Sequence, residues 1–322
     1  MRSFVLWYNP RGNFASSSEV NLDIHINLWK KKRPVETFVF DFGLMIDKID
    51  FIKNIYLYLP FKESRWSDLG HVISSNPKLV EAIFNENCNV STFHPKRVKV
   101  NFKDKDEKFI LYSLSQEDIR KENYSHGELL TLNVNSILDD SEIQENEEIK
   151  NLKKYYFRFR FEVSKDKVYL IKNSDFNKNF FLDIFSRTET IDFRINDIRS
   201  CSEKVMEEYY RNKKFKINKI HYLLLRNSND EFLCLDGNIG SRVLEKELWS
   251  SYIENVPEDV IAYHIKGVPQ NREDRIKSFS KLVRFKYDKT SWIRIMIILL
   301  INAYLKDIIK LLIILLKKLI VF

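Results

Sequence analysis

The sequence predicts a mainly β protein of the α+β class: an antiparallel, sandwich-like body with a few helices, followed by a C-terminal helical region that is amphipathic or membrane-spanning. Three observations carry this. Apolar residues recur with period two along most of the chain, the spacing of strands with one buried face. The 322 residues hold 24 Phe, 15 Tyr and 5 Trp but only 7 Gly and 7 Pro, which excludes collagen-like and linker-dominated chains. The 53 residues after Pro269 contain neither Gly nor Pro, so nothing in them breaks a helix.

In chain order, Val20 to Trp29 alternates apolar and polar residues and predicts a half-buried strand. Strands of similar character are expected at Glu36 to Phe42, Asn54 to Phe61, Arg97 to Phe102, Lys108 to Leu114 and Leu129 to Val134. Tyr155 to Val163, Lys167 to Lys172, Thr190 to Ile195, Ile220 to Arg226 and Glu231 to Leu235 extend the series. In the clearest of them, Phe157, Phe159 and Phe161 share one face and Arg158 and Arg160 the other, so one face is expected in the core and one in water. Strands this short without long helices between them argue against a doubly wound parallel sheet.

Three helices are marked locally. Pro77 at a first-turn position opens Lys78 to Asn85. Ser200-Cys201-Ser202-Glu203 has capping-box spacing ahead of Val205 to Asn212, and Ser241 precedes an expected helix at Val243 to Ile253. The acidic run Asp139 to Glu148 reads as a solvated linker, because a hard-cation loop would need a tight Gly turn that it lacks. The domain reading is therefore an N-terminal β-rich lobe over 1–138, an acidic linker over 139–150, a second β-rich lobe over 151–269 and a basic, apolar C-terminal segment over 270–322.

The net charge of +8 belongs to that last segment, where twelve bases face four acids; the first 270 residues carry 41 of each sign. A stretch both basic and apolar favours a membrane surface over a phosphate groove. The start of the chain has an apolar run too short for a secretion signal, which places the body on the cytoplasmic side of an inner membrane as an expectation. Cys88, Cys201 and Cys234 are widely spaced and fit neither a disulfide framework nor a zinc site, so they are read as buried small hydrophobes.

Catalytic, cofactor and metal patterns are not found, and a non-enzymatic role is expected. Gly237 to Ser241 reads as an ordinary turn, Asp106-Glu107-Lys108 as a solvated hairpin, and His94, His126, His221 and His264 as isolated structural or surface histidines.

The C-terminus is the informative part. Lys281, Arg284, Lys286 and Lys289 are expected to face anionic lipid headgroups, with Arg294 continuing the basic stretch and Trp292 and Tyr304 flanking the uncharged run Ile295 to Leu305 as interfacial anchors. No uninterrupted span of about 20 apolar residues exists there. At 100° per residue Asn302, Lys306, Lys310 and Lys317 fall within about 80° of one another, with Lys318 widening the polar stripe. Such a helix lies in a membrane interface, hides its stripe in an oligomer, or docks on the body.

In outline, Trp292 to Phe322 and the basic stretch before it resemble the membrane-effector subunits of prokaryotic anti-phage and abortive-infection systems, including those encoded beside short Argonautes. The resemblance implies a body that receives a ligand or a sensor protein, and a tail that inserts into or permeabilises the inner membrane, with oligomerisation on activation. The alternative is a tail-anchored scaffold or nucleic-acid-binding subunit whose basic run contacts phosphates.

Overall fold

The computed structural model describes residues 3–12, 19–31, 36–139, 147–174, 186–234, 239–253, 259–269, 271 and 274–288, together with residues 296, 299–300, 302–305, 307, 309–310 and 312–313. Its strands are β1 (Val5–Pro10), β2 (Asn21–Lys31), β3 (Thr37–Ile46), β4 (Ile52–Leu59), β5 (Arg65–Asp68), β6 (Cys88–His94), β7 (Arg97–Phe102), β8 (Lys108–Tyr112) and β9 (Ile119–Tyr124). They continue with β10 (Gly127–Asn133), β11 (Tyr155–Ser164), β12 (Ile171–Ser174), β13 (Ser186–Ile195), β14 (Lys216–Asn227), β15 (Glu231–Cys234), β16 (Gly240–Val243), β17 (Val260–Gly267) and β18 (Phe279–Asp288). The helices are α1 (Gly70–Ser74), α2 (Pro77–Phe84), α3 (Val134–Leu138), α4 (Glu147–Asn151), α5 (Glu203–Arg211) and α6 (Lys246–Trp249).

The chain divides into two compact units. The first comprises Met1–Ile171, Ile191–Ser228 and Leu235–Leu282; the second comprises Lys172–Thr190, Asn229–Cys234 and Val283–Phe322. The first unit is built on a ten-stranded sheet of order β16-β17-β14-β2-β3-β11-β8-β7-β6, with β5 also paired to β11, and on a four-stranded sheet of order β1-β4-β10-β9. A third sheet has the order β12-β13-β18-β15; within the second unit, Glu231 to Cys234 pair antiparallel with Lys286 to Val283 and the Phe232 and Phe285 rings meet at 5.1 Å.

The fold is mainly β, as expected, with antiparallel pairing predominant. Two pairs, β2 with β14 and β8 with β11, run parallel, which makes the large sheet mixed. Strands from both sides of the acidic run enter this one sheet, so the stretches 1–138 and 151–269 contribute to a single structure. Asp139 and Glu148, at the two ends of the run, are ion-paired to Arg11 and Lys99; residues 140–146 lie outside the described residues.

The period-two pattern explains the core. Leu22, Ile24, Ile26 and Leu28 of β2 lie on the same buried face as Phe40 and Phe42 of β3, Phe157, Phe159 and Phe161 of β11, and Ile220, Tyr222 and Leu224 of β14. Phe4 inserts its ring among Phe40, Phe42, Phe61 and Phe193 at centroid distances of 5.0 to 5.8 Å. Each such side chain contributes roughly 1.5–3 kcal/mol by burial.

The opposite face of the same strands is not wet, which corrects the sequence expectation: Arg158 is 1% exposed and Arg160 6%. Ile73 of α1, Leu79 and Val80 of α2 and the segment Trp249, Tyr252 and Ile253 join Trp29, Val39, Met45 and Tyr156 in an apolar cluster over that face. A strand that is apolar on one side and cationic on the other can be buried on both when the second layer brings acceptors to the cations.

One helix start matches its signal: Pro77 occupies the first turn of α2, which ends at Asn85 in the left-handed region. The cap of α5 is displaced from the expected capping box: Ser200 closes a 3-10 turn, Glu203 is the first helical residue, and the Ser202 hydroxyl accepts from the Val205 N–H at 3.4 Å. Other expectations are corrected. The stretch 243–253 is not one helix: Gly240–Val243 is an exposed edge strand and only Lys246–Trp249 is helical. Of the strand expected at Lys167 to Lys172, Lys167 ends a 3-10 turn (Lys165–Lys167) and β12 starts only at Ile171. The helical region expected from Gln270 onward is interrupted by β18, in which Phe279, Val283 and Phe285 are buried and Arg284 points outward. The alternation Val283-Arg284-Phe285-Lys286-Tyr287 is β-branched and aromatic, and the absence of Gly and Pro does not override it. The described residues between 296 and 313 are helical, and no helix among the described residues is long and apolar enough to cross a membrane.

Candidate functional site

The polar face of the large sheet holds a cavity of about 590 Å³ inside the first unit. Its wall follows from strand register. In the parallel pair β2/β14, Asp23 stands beside Lys219, His25 beside His221 and Asn27 beside Leu223. Antiparallel β17 sets Lys266 opposite His221 and His264 opposite Leu223, and β16 adds Arg242 opposite Ala262. On the other side, β3 places Gly43 beside His25, and β11 places Arg158 beside Gly43. Alternate residues of six adjacent strands therefore face one cavity, and α2 covers it with Ile83, Phe84 and Asn85.

Beneath the cavity lies a buried charge network. Arg160 grips Asp41 with two hydrogen bonds, Nε to Oδ1 at 2.6 Å and Nη2 to Oδ2 at 3.1 Å, and the Tyr252 hydroxyl donates to Asp41 Oδ2 at 3.0 Å. Arg158 donates from Nε to the Tyr252 hydroxyl at 2.7 Å and from Nη1 to the Tyr156 hydroxyl at 2.8 Å. With its amide turned so that the oxygen faces the guanidinium, Asn27 accepts from Arg158 Nη2 at 2.7 Å. Burial pushes the Tyr156 and Tyr252 phenols well above their ordinary pKa, so both are neutral acceptors. Arg160 alone bonds directly to the fully buried carboxylate, and Arg158, which lines the cavity, is held among the described residues by neutral oxygens, with Asp41 reached through the Tyr252 hydroxyl. A guanidinium has five N–H donors; three are used here.

The network continues into the histidines. The Tyr156 hydroxyl lies 3.2 Å from His25 Nδ1, and His221 Nδ1 lies 3.0 Å from His264 Nε2. The His25 and His221 rings meet edge-on at 5.0 Å. Burial, with Arg158 and the other two histidines adding to it, holds the His25 pKa well below its ordinary value. Burial followed by His264, Lys266 and Lys219 lowers His221 to about 4, and burial followed by Lys266 and Arg242 lowers His264. All three are neutral at pH 7, in a cleft whose rim carries the exposed cations Lys219, Lys266 and Arg242. Among the described residues none of these three has a carboxylate within 4 Å, whereas Lys105 is paired with Glu86, and Glu107 with Lys154.

Gly43 is required by close approach. A Cβ there would overlap the Tyr156 hydroxyl and stand 2.7 Å from Tyr156 Cζ, closer than real contacts allow, and would press Arg158 Nη1 at 3.0 Å. Gly43→Ala is expected to cost about 1–3 kcal/mol of stability, read as a lower urea midpoint at unchanged slope, because Tyr156 and Arg158 must shift.

The arrangement corrects the reading of His221 and His264 as isolated: they touch each other, and His25 joins them. His94 and His126 do not line the cavity. Gly240 and Ser241 line it from β16, and Glu107 from the other rim, while Gly237 lies outside the described residues. Among the described residues no group of three His, Cys, Asp or Glu side chains could hold a metal ion. Cys88 is buried and unpaired as expected; Cys201 is half-buried, and burial pushes its thiol up to about 11.

The expected membrane residues stand elsewhere. Lys281, Arg284 and Lys286 are on strand β18 rather than on a juxtamembrane helix. Asn302, Tyr304 and Lys310 are helical and exposed, with Lys310 Nζ 3.9 Å from Asp307; Lys289, Trp292, Arg294, Lys306, Lys317 and Lys318 lie outside the described residues.

No family model and no curated protein matches the chain. Among solved structures, the Mu homology domain of Fcho1 from Danio rerio with bound Eps15 peptide is similar at 8% identity and a TM-score of 0.19, covering 85% of this chain and 79% of that one. A likeness at that score carries no argument about fold or function.

Proposed function

We propose that this protein is a membrane-associated binding protein whose body holds an anionic, phosphate-bearing ligand in the cleft, and that it acts by binding rather than by catalysis. The observation that carries the reading is Arg158: a fully buried cation at a cavity wall, bonded to three neutral oxygens, with N–H donors left over. Asp41 and the two phenols stabilise the Arg158 charge from one side of the sheet, and an anion with several acceptor oxygens in the cleft would add charge-assisted hydrogen bonds to its remaining donors. Lys219, Lys266 and Arg242 at the rim supply further charge from separate strands, which suits a phosphate group.

Membrane association rests on the C-terminus. Met296, Leu299, Leu300, Tyr304, Leu305, Ile309, Leu312 and Ile313 are each about half exposed, an apolar surface larger than single scattered residues would give. Together with the basic residues around them, this surface suits an anionic bilayer interface. A phosphate-bearing lipid headgroup unites the two features. The role of an anti-phage membrane effector with a sensor partner is proposed on the architecture of the chain alone, and a membrane-potential dye in cells carrying the intact system tests it.

Vesicle flotation tests the division of labour. The full chain is expected to float with anionic vesicles, and deletion of residues 292–322 to leave it in the soluble fraction with its binding of soluble phosphate esters intact. Flotation unchanged by the deletion would remove the tail from the account.

A further inference from the structure

The cleft has one unmet demand of the opposite sign. Asp23 lines the cavity on the same face of β2 as His25, and its buried Oδ1 has no hydrogen-bond partner among the described residues. A carboxylate oxygen only accepts, so a ligand that fills the cleft and excludes solvent must bring a donor to this atom or leave it unpaired. Burial raises the Asp23 pKa, Lys219 and Lys154 lower it, and Asp47 and Glu107 add to the rise.

We propose that Asp23 selects the ligand: the cleft takes a phosphate ester that carries a neighbouring hydroxyl, a polyol phosphate, with the phosphate toward Arg158 and the histidines and the hydroxyl donating to Asp23. The inference rests on the anion-binding reading above. Spacing supports it, because alternate residues on one strand face are about 7 Å apart, which matches a phosphate at His25 and a hydroxyl a few bonds away at Asp23. Charge supports a hydroxyl over an ammonium donor. Lys219 stands beside Asp23 in register, and a second cation there would meet it as a like charge.

Calorimetric titration of the full chain with glycerol phosphate and with propyl phosphate tests the assignment, since the two probes share charge and size and differ in hydroxyls. Glycerol phosphate is expected to bind about tenfold or more tightly. Asp23→Ala is expected to bring the two within about twofold without weakening propyl phosphate, while Asp23→Asn, which keeps an acceptor oxygen, retains most of the preference. Equal binding by the unaltered chain, or a preference that survives Asp23→Ala, overturns the proposal. The comparison on the unaltered chain needs no variant and stands even where a substitution unfolds the protein.

Lys219→Ala separates this inference from the reading beneath it. If it weakens both probes while Asp23→Ala leaves their ratio unchanged, the selection by Asp23 fails and the anion site stands. If neither probe binds, both fail. Vesicles of phosphatidylglycerol and of phosphatidylmethanol, matched in charge, distinguish the source. A preference for phosphatidylglycerol that glycerol phosphate competes away assigns the polyol phosphate to a lipid headgroup. The soluble preference with no vesicle preference assigns it to a free ester, and either result supports the hydroxyl assignment.

Discussion

Replacing Asp41 by Asn is expected to lower the unfolding free energy by about 3–5 kcal/mol. Asp41 is fully buried and is the carboxylate that Arg160 grips twice and that the Tyr252 hydroxyl donates to. Without its charge, Arg158 and Arg160 remain as two buried guanidinium groups with only neutral partners. Urea unfolding at pH 7 measures the loss. Combining Asp41→Asn with Arg160→Met is expected to cost less than the sum of the single changes, because the second removes a cation that the first has stranded. A loss below about 1 kcal/mol for Asp41→Asn would mean that the network contributes little to holding the sheet and its covering helices together.

The second large effect is on binding. Changing Lys219 and Lys266 together to Ala is expected to weaken a phosphate ester about 100-fold, at roughly tenfold for each charge-assisted contact, while stability changes by no more than about 0.5 kcal/mol. Both side chains are exposed at the rim, so neither carries the fold. Arg242, whose guanidinium donates to the Ala82 carbonyl at 3.5 Å and has no carboxylate partner among the described residues, can join the same anion. Affinity that is unaffected by the double change would place the ligand elsewhere.

Much of the body was legible in the sequence. Alternation in Val20 to Trp29 and in Tyr155 to Val163 located β2 and β11 and named the residues of their core faces. The second face of β11 was not legible, because a local pattern cannot tell water from a covering layer; acceptors for Arg158 and Arg160 come from Asp41, 119 positions from Arg160, and from Tyr252, 92 to 94 positions away. The histidine cluster was hidden for the same reason. His221 and His264 are 43 positions apart, and His25 joins them through a parallel pairing of β2 with β14 that no short-range spacing encodes. Asp23 and His25 were visible as the polar positions of an alternating strand, yet only the register with Lys219 and His221 makes them part of a site. At the C-terminus a readable signal lost to a stronger one: the alternation of Val283, Phe285 and Tyr287 marked β18, but the long run without Gly or Pro favoured a helix.

The neutral histidines give the anion site a pH signature with a definite sign. In the ligand-free protein the His221 pKa is lowered to about 4, and His25 and His264 are lowered as well, so the folded cleft takes up fewer protons than the unfolded chain as pH falls below about 6.5. Ligand-free stability therefore declines in the window from about 6.5 toward about 4. A bound anion favours the protonated imidazoles and raises those pKa values, so binding is coupled to proton uptake and tightens on acidification from pH 7 toward pH 5. Calorimetric titration of the full chain with glycerol phosphate at pH 6.5, in two buffers of different ionisation enthalpy, measures binding and proton uptake together. The expected result is saturable binding with net proton uptake, abolished by changing Lys219 and Lys266 to Glu; no binding at millimolar ligand, or binding that the charge reversal leaves intact, would contradict the account.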